Sequence, residues 1–192
     1  IQYTTNRKPD CTFFIRPLTK DNLEDVCHNL GIIFTTINPV QMCMGITYDE
    51  IYVYCKKVAE SSIDNNTGVV AYAKNIGDDK EEFASALLCG NSFDTRNVLL
   101  EAFNESPSLK EKWTKFLEGK SIQTETVKKT GLYDPATKGD EKFSLRVAGT
   151  AAKYNRCGLM TRLAEFVVNE HPLMKNGKVF FSHIENEGTE TA

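Results

Sequence analysis

The sequence lacks most of the devices that would assign it a chemistry at sight. None of its six cysteines forms a Cys-x-x-Cys pair, and its three histidines, His28, His171 and His183, lie far apart. The close ligand pairs of a zinc site are therefore missing, and no metal is expected. No apolar run approaches the ~20 residues that span a bilayer, and no signal-peptide pattern opens the chain. There is no G-x-x-x-x-G-K-S/T loop, no G-x-G-x-x-G fingerprint and no G-x-S-x-G elbow. Neither sign of charge dominates: the formal charge is −3 and the pI near 5.7. That balance argues against a nucleic-acid groove. Internal repeats and low-complexity segments are absent too.

What remains is the composition of one globular domain over 1–192, with 41% hydrophobic and 26% charged residues. Such a chain is long enough to bury a sizeable core. Five of the six cysteines (Cys11, Cys27, Cys43, Cys55, Cys89 and Cys157) sit in apolar or amphipathic segments. They read as buried free thiols, which fits a reducing, cytoplasmic compartment.

Residues Ile1 to Asp10 are polar and read as a flexible arm. Cys11–Leu18 is a strand closed by Pro17, and Thr19 is a candidate cap for a helix over Asp21–Phe34. Asn38-Pro39 breaks that helix, because the residue before proline disfavours helical backbone. Thr47 and Glu50 form a T-x-x-E capping box at the head of a helix reaching Asn65. Gly68–Lys74 and Phe83–Cys89 read as antiparallel strands joined by an acidic hairpin. Helices follow over Asp94–Phe103 and from Ser106-Pro107 onward, the latter with Leu109, Trp113, Phe116 and Leu117 on one face. Gly119–Glu141 is a polar excursion without periodicity. The chain closes with a strand at Phe143–Gly149, a helix at Gly158–Asn169 and a strand at Lys178–Ile184. Strand, helix, strand predicts parallel neighbours for the last two strands.

The segment Lys142 to Val168 is the one candidate site. A strand runs into a short turn holding Arg156 and Gly158, and the turn runs into an amphipathic helix. This order aims backbone N–H groups and a positive helix end at whatever lies over the turn, a position suited to a pyrophosphate.

The residues Tyr154-Asn155-Arg156-Cys157-Gly158-Leu159-Met160-Thr161-Arg162-Leu163 resemble the acetyl-CoA turn of the GNAT superfamily of N-acetyltransferases. That motif reads Q/R-x-x-G-x-G/A. Asn155 takes the Gln/Arg position, Gly158 the central glycine and Met160 the final Gly/Ala, so one of three positions is standard. Two details are similar to the arylalkylamine N-acetyltransferase branch. One is Phe34-Thr35-Thr36-Ile37-Asn38-Pro39-Val40, set against F-x-x-x-E-P-L; the other is the long insertion between the third and fourth strands.

The resemblance implies an α/β fold with a mixed, mainly antiparallel sheet and flanking helices. It also implies a C-terminal helix and strand pair that have no counterpart in the residues after Glu185, so the fold is expected to be truncated there. The implied activity is direct transfer of an acetyl group from acetyl-CoA to a small arylalkylamine. Backbone groups of Ala148, Gly149, Thr150 and Ala151 would hold the pantetheine arm. Asn155, Arg156, Cys157, Gly158, Leu159, Met160 and Thr161 would hold the pyrophosphate. Asn38 stands where the branch has its catalytic glutamate, and a neutral amide takes no proton near pH 7. His183, Glu185 or a chain of waters are the candidates in its place. The partner is then a small amine, with neither nucleic acid nor membrane. The alternative is a catalytically impaired acyl-CoA-binding or interaction module that kept the fold.

Overall fold

The computed structural model describes residues 1–114, 142–170 and 179–181. Six strands form one sheet in the order β1 (Gln2–Thr5), β2 (Lys8–Pro17), β3 (Gly68–Asn75), β4 (Glu82–Asn91), β5 (Lys142–Thr150) and β6 (Val179–Phe181). Every neighbouring pair is antiparallel except β5 and β6, which are parallel. The mixed, mainly antiparallel sheet and its one parallel crossover are as the sequence predicts. The expected arm over residues 1–10 is a correction. Gln2–Thr5 pairs with Lys8–Phe14 as a hairpin, because Tyr3 has Phe13 and the core beneath α6 to pack against.

One face of the sheet carries α1 (Leu23–Thr36), α2 (Pro39–Cys43), α3 (Tyr48–Asp64), α4 (Ser92–Glu105) and α5 (residues 107–114). The other carries α6 (Leu159–Glu170). Two cores result. Val70, Leu88 and Val147 point up into the helices α1, α3, α4 and α5, with Val26, Leu30, Val58 and Leu109 among their partners. Val69, Ala71 and Leu87 point down to Leu159, Leu163 and Val167 of α6. The alternation of strand side chains makes both faces apolar.

Local rules hold where the sequence is explicit. The Thr47–Glu50 capping box is formed in both directions. The chain breaks after Thr36, but Asn38-Pro39 also starts α2, with Pro39 in its first turn, where the missing N–H costs nothing. Thr19 does not cap α1; Asn22 precedes that helix, and its Oδ1 instead accepts from the Thr19 backbone N–H at 2.9 Å.

The loop after α2 is held by an ion pair reaching from α5. Lys112 Nζ donates to both Glu50 carboxylate oxygens, at 2.9 and 2.7 Å, and to the Gly45 carbonyl at 2.7 Å. Burial alone would push the Glu50 carboxyl up. The Lys112 ammonium, the Thr47 backbone N–H and the Ser108 hydroxyl outweigh it and hold the group at about 2.

Candidate functional site

The site is built around β5. Consecutive β4 residues Leu88 and Cys89 pair with Val147 and Leu145, which leaves Arg146 as an extra residue on β5. This is a β-bulge, a device that bends a strand and re-aims its groups. Its guanidinium lies flat over Gly90, where a Cβ would stand 2.3 Å from Cζ, and donates to the Ser61 hydroxyl at 3.2 Å. On its far side β5 pairs with β6 only over Lys142–Ser144. From Leu145 to Thr150 that edge has no partner strand among the described residues.

The hydrogen-bonding direction along this edge follows from one contact. The Ala151 N–H donates to the Ala84 carbonyl at 2.9 Å. By alternation, Gly149 also faces β4, whereas the N–H and C=O groups of Ala148 and Thr150 face the open edge. Of Ala148, Gly149, Thr150 and Ala151, two therefore face away from β4 and two toward it.

At the end of β5 the backbone passes through a 3-10 turn (Ala152–Tyr154) and then curls. Arg156 has φ 63° and Gly158 φ 74°, and such left-handed residues turn successive N–H groups toward one point. Among the described residues, no backbone carbonyl accepts from the N–H groups of Gly158, Leu159, Met160 or Thr161; the first such bond of α6 is from Arg162 to Gly158. The orphan donors of a helix N-terminus are therefore presented in the turn. The side chains divide sharply. Cys157 and Leu159 are buried in the core under α6, so only their backbones can serve a ligand, while Asn155, Arg156 and Thr161 are exposed. A bound pyrophosphate fits this donor set, and Gly158 leaves its approach clear of a Cβ.

Two aromatic residues fix the turn in place. Tyr3 of β1 donates from its hydroxyl to the Cys157 carbonyl at 2.9 Å. Tyr154 is buried edge-on against Phe13 at 5.4 Å, and its hydroxyl donates to Glu82. Burial first, and the Glu82 carboxylate second, push the Tyr154 phenol above its ordinary range. Nothing in the sequence near the motif points to Tyr3, which lies 154 residues from its partner.

The path of α1 runs over the sheet from β3 to β5. Asp25 accepts from the Tyr72 hydroxyl on β3 at 2.8 Å, and eight residues later Ile33, with Leu30, packs on Gly149 of β5. Eight helical residues advance about 12 Å, slightly more than the roughly 10 Å between a strand and its second neighbour. The helix therefore crosses the sheet from β3 to β5. Asn38 is almost buried and caps α2: its Oδ1 accepts from the N–H groups of Val40 at 3.0 Å and Gln41 at 3.4 Å. His183 and Glu185 lie outside the described residues. Burial pushes the Cys27 and Cys89 thiols up to about 12 and Cys55 well above its ordinary value. Among the described residues, no three His, Cys, Asp or Glu side chains gather as a metal site, and no helix is long and apolar enough to cross a membrane.

No protein-family model and no curated protein matches the sequence. Solved structures do match. Arylalkylamine N-acetyltransferase 2 from Aedes aegypti superposes with a TM-score of 0.55 at 15% identity, over 82% of this chain and 69% of that one. The C-terminal condensation domain of Ebony, in complex with beta-alanyl-dopamine, superposes with a TM-score of 0.61 at 12% identity, over 93% of this chain and 78% of that one. The chain has a GNAT-like fold. Within that class, the fold is related to that of the arylalkylamine N-acetyltransferases.

Proposed function

We propose that this chain is an acetyl-CoA-dependent N-acetyltransferase acting on small arylalkylamines. The observation that carries the reading is β5 itself, bulged at Arg146, without a partner strand along Leu145–Thr150 among the described residues, and leading into a turn whose N–H groups no described carbonyl claims. An extended pantetheine arm would complete the sheet along the Ala148 and Thr150 edge, and a pyrophosphate would take the turn. The acceptor class draws on the two solved neighbours. One is an arylalkylamine acetyltransferase, and the other is bound to beta-alanyl-dopamine, the amide of an arylalkylamine.

In the reaction the amine nitrogen bonds to the thioester carbonyl carbon. The carbon–sulfur bond breaks with its electron pair going to sulfur, and the amine proton leaves to water. A backbone N–H on the bulged strand is suited to polarise the carbonyl. Calorimetric titration with acetyl-CoA tests the reading; binding in the micromolar range is expected, and none at millimolar cofactor overturns it.

A non-catalytic acyl-CoA-binding module is the second reading, favoured by Asn38, which is neutral and engaged as a cap. Asn38→Asp separates the two. Aspartate caps as well as asparagine, so stability should hold within about 0.5 kcal/mol. As an enzyme, the variant should turn over 2-phenylethylamine at least several-fold faster, read as thiol release. Cofactor binding without thiol release in either protein would support the module.

A further inference from the structure

The turn before α6 is held from outside its own segment. Tyr3 of β1 donates its hydroxyl to the Cys157 carbonyl at 2.9 Å. That carbonyl shares a peptide plane with the Gly158 N–H. No described peptide bond is cis, so the two groups point in opposite directions. Holding the carbonyl toward β1 therefore aims the Gly158 N–H away from it. The constraint matters here because glycine takes φ of either sign. Gly158 sits at φ 74°, and its own preference does not stop the plane before it from turning over. The next plane is held by the helix: the Gly158 carbonyl accepts from the Arg162 N–H at 3.2 Å, which orients the Leu159 N–H. Arg162 also lays its guanidinium over the Tyr3 ring, 5.2 Å from the centroid.

The strand that supplies this anchor is lightly held. β1 is four residues long, pairs with β2 alone among the described residues, and shifts register between Thr4 and Thr5. Gln2 and Thr4 are exposed, and Tyr3 is the tie to the core, its ring 6.0 Å from that of Phe13. A segment with so few buried contacts opens locally, well below the free energy of global unfolding. When it opens, the Cys157 carbonyl loses its donor.

We infer that Tyr3 is a positioning residue of the coenzyme site, and that docking of β1 and binding of coenzyme favour one another through the Cys157–Gly158 peptide. This rests on the proposed transferase reading and names a control on that same site. With β1 docked, the Gly158 N–H is preset to meet a pyrophosphate. With β1 released, the ligand must also order that plane, and it binds more weakly. Linkage is reciprocal, so bound coenzyme holds β1 down by the same factor.

Hydrogen exchange on the unaltered protein is the first test. Saturating acetyl-CoA should slow exchange of the β1 amides by about three- to tenfold, the net contribution of one hydrogen bond. Unchanged β1 exchange with coenzyme bound would overturn the inference. Tyr3→Phe is the second test, because phenylalanine keeps the ring between Phe13 and Arg162 and removes only the hydroxyl. A purely structural hydroxyl would alter the thermal midpoint and leave the Kd for acetyl-CoA as it was. The inference predicts a Kd weakened by about three- to tenfold in calorimetry, and β1 exchange that no longer responds to coenzyme. Equal Kd in parent and variant, or a variant whose β1 still responds fully, would overturn it. The exchange test needs no variant, so poor folding of Tyr3→Phe leaves the inference open to refutation. Failure of the parent to bind acetyl-CoA would instead strike at the transferase reading, and this control would fall with it.

Discussion

Gly158→Trp is expected to weaken acetyl-CoA binding by at least a hundredfold while the sheet and helices persist. Gly158 sits at φ 74°, where an L side chain is strained by about 1–2 kcal/mol. Its missing side chain leaves the N–H groups of Gly158 to Thr161 open to a ligand. A Cβ there would also stand 3.2 Å from the Tyr3 hydroxyl, which holds the turn through Cys157. An indole at this point fills the space over the donors. Gly158→Ala separates the two effects, since it carries the backbone strain with little of the bulk. It should lower stability by about 1 kcal/mol and weaken binding far less than tryptophan does. Calorimetry with acetyl-CoA, paired with thermal melts, reads both; normal binding by the tryptophan variant would mean the turn is not the cofactor cradle.

Lys112→Met should lower stability by about 3 kcal/mol at pH 7, a fall of roughly 5–10 °C in the thermal midpoint. The variant leaves the Glu50 carboxylate, 8% exposed, buried without its cation. The direction with pH follows from the folded carboxyl at about 2 against an ordinary 4.5. A depressed carboxyl stabilises fully above its unfolded value and loses that contribution as the pH falls through the folded one. The parent should therefore lose this stability between about pH 4.5 and 2, and the two proteins should converge across that window. Denaturant melts at pH 7 and pH 3 check it. A constant difference between them would show that Lys112 acts through packing of its stem. The same ammonium also holds the Gly45 carbonyl just beyond α2, so the loop between α2 and α3 should loosen with it.

Much of the fold was legible because its signals are local. The capping box of Thr47 and Glu50 lies within one helical turn, and the strand–turn–helix of β5 and α6 is contiguous in the chain. The apolar runs of β3 and β4 and the acidic hairpin between them predict their pairing without knowledge of the rest. The site was legible in part, through Gly158 and the turn around it. The short α2 was read only as a break, since five residues give no periodicity to detect. The polar arm concealed a strand because only Tyr3 on it meets the core.

The sequence by itself determined the order of elements, the caps and the glycine-bearing turn, since each is decided by residues a few positions apart. Only the tertiary structure decided which neighbours make that turn into a site. Tyr3 lies 154 positions from Cys157, Lys112 lies 62 from Glu50, and α1 meets β5 through the missing side chain of Gly149. No short-range rule reaches across those separations; they are fixed when the sheet closes and its two apolar faces are covered. The turn from Asn155 to Thr161 supplies donors in any strand–turn–helix. The β5 edge beside it, which has no partner strand among the described residues from Leu145 to Thr150, is likewise set by the closure of the sheet.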